Sequence, residues 1–181
     1  MEGCSHRFSG ISTMQRFFLA TGAACLSLLP RVVFSQEGKP PQVEFFGDWE
    51  LICAAADDHT CQMAQSAAAG EGDPVFLLSI APAKDRATDY AVASAPLGVY
   101  LANGIEIRID GGHPFKVLYE VCDRESCHAG FRLSGAVLSA FRKGLDAGFR
   151  VWTAKDRAVD FDMSLRGFSA AYAEYRAKVT G

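Results

Sequence analysis

The chain has 181 residues, of which 49% are hydrophobic, 22% charged and 11% aromatic. These proportions are ordinary for a globular protein and exclude a collagen-like, low-complexity or wholly disordered chain. Lys and Arg number 18 against 21 Asp and Glu, so the formal net charge is −3. Because the sequence has no basic stripe that could bind a phosphate backbone, nucleic acid is not an expected partner.

The first 35 residues have the pattern of a secretory signal peptide. Basic residues precede a charge-free apolar run from Phe17 to Leu29, which is shorter than the roughly 20 residues that a membrane-spanning helix needs. Val33 and Ser35 are acceptable as the third-last and last residues before a signal-peptidase site. We therefore expect cleavage after Ser35 and a periplasmic mature protein, with outer-membrane association or secretion as the alternatives.

The predicted mature chain is organised as one domain. Residues 36–44 contain two successive prolines and are predicted to be a flexible lead. Residues 45–178 are predicted to form the domain, which is long enough to bury a substantial core. No further segment approaches the length of a membrane span. Met14 is as suitable a start codon as Met1, and the sequence does not choose between them.

Four cysteines remain after the predicted cleavage, namely Cys53, Cys61, Cys122 and Cys127. An even number in an exported protein indicates disulfides, and four cysteines allow three connectivities. Local pairing, Cys53 with Cys61 and Cys122 with Cys127, would staple two short loops, whereas cross-pairing would require distant strand ends to meet. We favour local pairing. The spacing suits neither a zinc site nor a thioredoxin-like redox centre.

Alternating apolar and polar residues predict a mainly β protein. Strands are predicted at Trp49–Cys53, Val75–Ile80, Tyr90–Ser94, Ile105–Ile109, Val117–Val121, Cys127–Leu133, Phe149–Val151 and Val159–Leu165. The compact apolar run at 75–80 predicts a central strand that is buried on both faces.

The turns and helices complete the predicted fold. Asn103-Gly104 predicts a hairpin turn between residues 99–101 and the next strand, and Asp57-Asp58-His59 predicts a polar loop. Helices are predicted at Ser134–Lys143 and Phe168–Tyr175, the latter docked on a sheet. The expected fold is an antiparallel, immunoglobulin-like β-sandwich with one or two short helices.

Four groups of residues, in order along the chain, carry a family resemblance. They are Phe46-Gly47-Asp48-Trp49 with Cys53 and Cys61-Gln62-Met63-Ala64-Gln65; Pro96-Leu97-Gly98-Val99 with the Gly104–Asp110 strand; Tyr119–Cys122 with Cys127-His128-Ala129; and Ser164-Leu165-Arg166-Gly167-Phe168-Ser169-Ala170-Ala171. In these residues the chain resembles the invasion associated locus B (IalB) family of exported bacterial proteins. The chain departs from the family pattern at Ala102-Asn103-Gly104, where the family often has a proline, and in a longer loop at 67–73.

The resemblance implies a periplasmic or envelope-exposed sandwich with paired cysteines. The family is named after a locus associated with host-cell entry, but the resemblance supplies no molecular mechanism, and a shared fold does not imply a shared function.

The sequence lacks the residue patterns of common catalytic, metal and cofactor sites. It contains no G-x-S-x-G motif and no Gly-rich phosphate loop. The predicted mature chain has only His59, His113 and His128, none of them in a catalytic signature. Asp57-Asp58-His59 lacks the spaced oxygen ligands of a calcium loop. We therefore expect no catalytic residue, no metal and no cofactor.

Two other groups of residues could form a site but are better explained by the fold. Asp160 and Asp162 share one face of a predicted strand, and their alternation with apolar residues indicates the solvent-facing side. Trp49 with Phe45 and Phe46 could form an exposed aromatic platform, but core packing is the favoured interpretation.

Three functions from different classes remain open. The favoured one is a non-enzymatic envelope protein that binds another protein or a surface component, which predicts an exposed apolar patch. The alternative is a periplasmic carrier of a small ligand or lipid, which predicts an apolar cavity of roughly 300–1,000 Å³ inside the sandwich. The third is an unrecognised hydrolase, which predicts a histidine within hydrogen-bond reach of a carboxylate and a hydroxyl.

Overall fold

The structure is a computed structural model that describes residues 40–180, except residues 56, 73–74 and 85–86 and the side chains of residues 57–59. The predicted signal peptide and most of the predicted lead lie outside the described residues. The first strand begins at Gln42, so residues 42–44, predicted to belong to the flexible lead, are part of a sheet.

The described residues form eleven strands, one 3₁₀ turn and two α-helices. Their order is β1 (Gln42–Phe46), β2 (Trp49–Ala54), β3 (Asp57–Ala68), β4 (Val75–Pro82), β5 (Asp89–Pro96), the 3₁₀ turn (Leu101–Asn103), β6 (Ile105–Ile109), β7 (Phe115–Val117), β8 (Val121–Cys122), β9 (Ser126–Leu133), α1 (Gly135–Lys143), β10 (Asp146–Ala154), β11 (Arg157–Ser164) and α2 (Phe168–Thr180).

The strands form two antiparallel sheets that pack face to face. One sheet has the order β1-β2-β3-β4-β5-β9-β8 and the other β11-β10-β6-β7. The ring of Phe76 on β4 lies 4.9 Å from that of Phe149 on β10 and 5.2 Å from that of Phe161 on β11. These aromatic contacts join the two inner faces in one core, and the predicted antiparallel sandwich is confirmed.

The prediction that β4 is buried on both faces is wrong. Phe76, Leu78 and Ile80 face the core, whereas Val75 and Leu77 expose 57% and 39% of their surface. Only the inner face of the seven-stranded sheet packs against the second sheet. The apolar residues between the core positions therefore lie on the outer face.

Both disulfides join neighbouring strands, as predicted. Cys53 on β2 is the register partner of Cys61 on β3, and Cys122 on β8 is the partner of Cys127 on β9. The pairing of β2 with β3 continues past the first bridge to Ala54 and Asp57. Residues 57–59, predicted as a polar loop, are therefore the start of β3. Because β2 and β3 stay paired beyond the disulfide, the turn between them is shorter than predicted.

The hairpin predicted at Asn103-Gly104 is also wrong. Residues 101–103 form a 3₁₀ turn, and Gly104, at a φ of 64°, ends it. Residues 105–107 then pair with β7, where Ile105 is the register partner of Val117, and residues 106–109 pair with β10. The turn signal marks a change of sheet because the chain leaves β5 of one sheet for β6 of the other.

Two of the sequence groups that carry the family resemblance meet in space. Trp49 is fully buried, packs edge-on against Phe168 with ring centroids 5.0 Å apart, and donates its indole N–H to the carbonyl oxygen of Ser164. Gly47 and Gly167 both have positive φ, and a Cβ at Gly167 would clash with the Phe46 carbonyl. The glycines therefore allow the close backbone approach that seats α2.

Candidate interaction surface

Two chain crossovers lie beside each other at one end of the sandwich. The chain passes from the seven-stranded to the four-stranded sheet between β5 and β6, and it returns between β7 and β8. A Cβ placed at Gly104 on the first crossover would lie 3.3 Å from Cδ2 of Leu118 on the second. The tight β6–β7 pairing brings the crossovers together.

Both crossovers carry exposed apolar side chains, which we call the crossover surface. Leu97 is 52% exposed, Tyr100 39%, Leu101 50% and Leu118 64%. Exposed apolar patches on a monomer often mark interaction sites. Leu97 follows Pro96, the last residue of β5, so the surface adjoins the end of that strand.

An apolar cleft opens between the two sheets at the same end. Its volume is about 210 Å³, and it is lined by Ala69, Pro96, Leu97, Val99, Val151, Thr153, Val159 and Phe161. The Thr153 hydroxyl accepts a hydrogen bond from Arg157 Nε at 2.8 Å, so this polar group already has a partner. The cleft is therefore suited to an apolar group.

Hydrogen bonds hold the first crossover against β10 and the turn that follows it. The Tyr100 N–H donates to the Trp152 carbonyl at 2.6 Å, and the Asn103 side chain donates to the Lys155 carbonyl at 3.2 Å. A surface held in place before binding loses less conformational entropy when a partner binds. The crossover surface is thus pre-organised.

A polar cluster on the outer face places a histidine within hydrogen-bond distance of a hydroxyl and a carboxylate, which is what the hydrolase hypothesis predicts. The Nδ1 atom of His128 lies 2.9 Å from Oγ of Ser94, and its Nε2 lies 3.0 Å from Oδ2 of Asp123. Asp123 Oδ1 also accepts the backbone N–H groups of Glu125 and Ser126. These two bonds and the one to His128 lower the pKa of Asp123 well below its usual range.

The surroundings of Ser94 oppose a nucleophilic role. Ser94 is only 8% exposed and lies within β5, between its register partners Leu77 and His128. An acyl group on its Oγ would require these flanking side chains to move. Asp123 caps the turn that the Cys122–Cys127 disulfide closes. Through His128, the cluster links this hairpin to Ser94 on β5 by hydrogen bonds.

The other predicted candidates do not gather into one site. His113 is exposed, and the side chain of His59 is outside the described part of the structure. Asp160 faces solvent, as expected, and forms a two-pronged ion pair with Arg150 at 2.7 and 2.8 Å. Within the described residues no group of three or more His, Cys, Asp or Glu side chains could hold a metal ion.

The aromatic residues near the first strands divide between core and surface. Trp49 is in the core, as favoured, whereas Phe45 is 70% exposed on β1. The prediction that the C-terminal helix docks on a sheet is confirmed, since Tyr175 is fully buried.

Sequence reasoning did not find the crossover surface. The sequence predicts residues 99–101 as one side of a hairpin and 117–121 as one strand, whereas both segments contain a connection between the sheets. The exposure of Tyr100, Leu101 and Leu118 is therefore not predicted. The available signal was an apolar run interrupted by Pro96 and Gly98, a composition that suits a connection better than a strand. Which of its side chains remain exposed depends on where the chain changes sheet.

Comparisons with known proteins agree with this architecture. Residues 49–176 match the profile of the family described as invasion associated locus B (IalB) protein. The crystal structure of invasion associated protein B from Bartonella henselae is similar with a TM-score of 0.66 and 17% sequence identity, covering 77% of this chain and 99% of that chain. At this identity the likeness concerns the fold. No curated protein sequence matches the chain.

Proposed function

The chain belongs to the invasion associated locus B family, and we propose that it is an exported, non-enzymatic protein of the cell envelope that acts by binding another protein. Support for export comes from the N-terminal sequence pattern and from two disulfides, which persist in oxidising compartments. The structure described, from residue 40 onward, contains no helix long and apolar enough to cross a membrane.

The crossover surface is the observation that carries the binding proposal. Leu97 belongs to both the surface and the cleft, so the exposed apolar groups adjoin a small apolar recess. Protein interfaces concentrate their binding energy where one large side chain of the partner fills such a recess. We infer that the partner contributes an apolar anchor residue.

The carrier alternative has less support from this cleft. Its volume of about 210 Å³ is below the roughly 300–1,000 Å³ typical of sites that enclose a small ligand. A cleft of this size at the end of the sandwich suits one side chain better than a whole lipid.

Photo-crosslinking in the producing cell tests the binding proposal. A photoreactive residue replaces Leu101 in one variant and Leu145 in a matched control. Leu145 is also exposed, at 70%, but it precedes β10 at the opposite end of the sandwich. We expect one protein to be captured from position 101 and not from position 145. Equal capture from both positions, or none from position 101, would contradict the proposal.

A charge substitution in the crossover surface gives a second test of the binding proposal. Leu101→Asp places a charge in the crossover surface, whereas Leu145→Asp places the same charge at the other end. We expect the first to abolish capture by a photoreactive residue at position 97 and the second to leave it unchanged. Recovery of a bound small molecule with the purified protein, and of no crosslinked protein, would favour the carrier instead.

A further inference from the structure

A groove between the two helices combines positive charge with hydroxyl groups. Its volume is about 460 Å³, and it is lined by Gly135, Leu138, Ser139, Arg142, Lys143 and Ser169. The first five residues follow the spacing of one helical face, so they form a single stripe along α1. Ser169, near the start of α2, closes the groove and donates from its hydroxyl to the Arg142 carbonyl at 2.8 Å.

The two cations of the groove have no carboxylate partner among the described side chains. Arg142 and Lys143 are exposed in the last turn of α1. In contrast, Arg108, Arg150 and Lys178 each form an ion pair within the molecule. Other exposed cations, such as Arg124 and Lys155, also lack an ion pair in the described structure, but Arg142 and Lys143 lie side by side in one groove.

The remaining groups of the groove suit an anion. Ser139 lies three residues before Arg142 and four before Lys143, so all three side chains lie on one face of α1. Its hydroxyl can donate a hydrogen bond to an oxyanion. The first turn of α2, which contains Ser169, contributes a partial positive charge, and Arg142 and Lys143 offset the negative end of the α1 dipole. Leu138 adds an apolar wall for the organic part of a ligand.

We propose that this groove binds the phosphate group of a phosphate ester, a site separate from the crossover surface. Arg142 would pair two phosphate oxygens with its planar fork, Lys143 would supply the second positive charge and Ser139 a hydrogen bond. Two cations match a phosphate monoester better than a single carboxylate. The ester can be a soluble molecule or the headgroup of a lipid, and the chemistry at the groove is the same.

Binding of inorganic phosphate and glycerol 3-phosphate to the whole protein tests the site. Amide chemical shifts are followed by NMR at constant ionic strength, set with chloride. We expect saturable shifts confined to the groove, at Gly135, Ser139 and Ser169. The variant Arg142→Ala/Lys143→Ala should bind both probes at least roughly tenfold more weakly, because charge-assisted hydrogen bonds are lost.

A charge-matched control separates the site from general attraction. Arg124→Ala/Lys155→Ala removes two other exposed cations and should leave phosphate affinity unchanged. Equal weakening in both variants, or shifts that never saturate, would overturn the proposal. The two cations also complement the C-terminal dipole of α1, but that structural role predicts a change in stability and no localised phosphate shifts.

Vesicles distinguish the two sources of the phosphate ester. Sedimentation with vesicles that contain a phosphatidic acid, lost in the Arg142/Lys143 variant and kept in the control, would assign a lipid headgroup. Saturable binding of glycerol 3-phosphate without sedimentation would assign a soluble ester. Either result supports the groove as a phosphate site.

Discussion

Arg176 on α2 donates a hydrogen bond from Nη1 to Oδ1 of Asp89 on β5 at 2.9 Å, although the two residues are 87 positions apart. Asp89 is only 2% exposed, and it also accepts the hydroxyl groups of Tyr172 at 2.5 Å and Tyr175 at 2.8 Å. A buried carboxylate needs such partners to offset the loss of its hydration. This cluster fastens the C-terminal helix to the seven-stranded sheet.

Replacing Asp89 by Asn tests that fastening. The amide cannot neutralise Arg176, and it substitutes a donor for one of the acceptors that the tyrosines use. We expect the free energy of unfolding to fall by about 3–5 kcal/mol, measured by urea denaturation. The matched control is Asp160→Asn, which breaks an exposed ion pair with Arg150 and should cost under about 1 kcal/mol. Equal losses in the two variants would contradict the role given to Asp89.

The same cluster predicts a loss of stability in alkali. Burial, followed by the hydrogen bond to Asp89, raises the pKa of Tyr172 and Tyr175 well above the ordinary 10.0. Above pH 10 the unfolded chain therefore releases tyrosine protons that the folded chain retains, so stability must fall as the pH rises. We expect the urea midpoint to decline above pH 10.

The variant Tyr172→Phe/Tyr175→Phe gives the control for this alkaline effect. It should lower stability at neutral pH but flatten the decline above pH 10. Some decline should remain, because burial also raises the pKa of Tyr119. An unchanged slope in the double variant would show that these two tyrosines are not responsible.

Removing either disulfide should destabilise the fold, and the first should matter more. Both bridges close short loops, which in the loop-entropy model corresponds to about 2–3 kcal/mol each. Cys53 and Cys61 are both buried in the core, whereas Cys122 is exposed. We therefore expect Cys53→Ala/Cys61→Ala to lower the free energy of unfolding more than Cys122→Ala/Cys127→Ala, measured in urea. The reverse order would contradict the burial argument.

A serine-directed probe decides between the binding proposal and the hydrolase. We expect a fluorophosphonate to leave Ser94 unlabelled, since this residue is only 8% exposed. Mass spectrometry of the treated protein measures the adduct, with an active serine hydrolase as the positive control. An adduct on Ser94 that disappears in His128→Ala would establish a nucleophile and overturn the non-enzymatic proposal.

Ser94→Ala should lower the free energy of unfolding by about 1 kcal/mol, because His128 loses a hydrogen bond.

Much of the sandwich could be predicted because its signals are local. The alternation at Ile105 and Ile107 correctly identified a strand with one buried side, since side chains point to opposite faces at every second residue. Both helices were predicted for a similar reason, as apolar residues recur at helical spacing. The local pairing of the cysteines followed from their short separations.

The predictions failed where a strand's surroundings depend on distant parts of the chain. The apolar run at 75–80 contains no information on whether a second layer covers each face, and Val75 proved exposed. Asn103-Gly104 has the composition of a hairpin turn, but the partner of Ile105 is Val117, which follows it along the chain. The turn residues show that the chain changes direction at this point. They do not show which strand the next segment pairs with.

The sequence by itself determined most of the strands, both helices, the pairing of the cysteines and the family resemblance, because each depends on spacing along the chain. The tertiary structure decided which side chains share a surface. Leu97 and Leu118 form one surface only because two crossovers between sheets meet at one end of the sandwich. Likewise, Arg142 and Ser169 share a groove because two helices that are separated by a hairpin pack together. Sites of this kind arise from contacts between distant residues, and residue spacing does not encode those contacts.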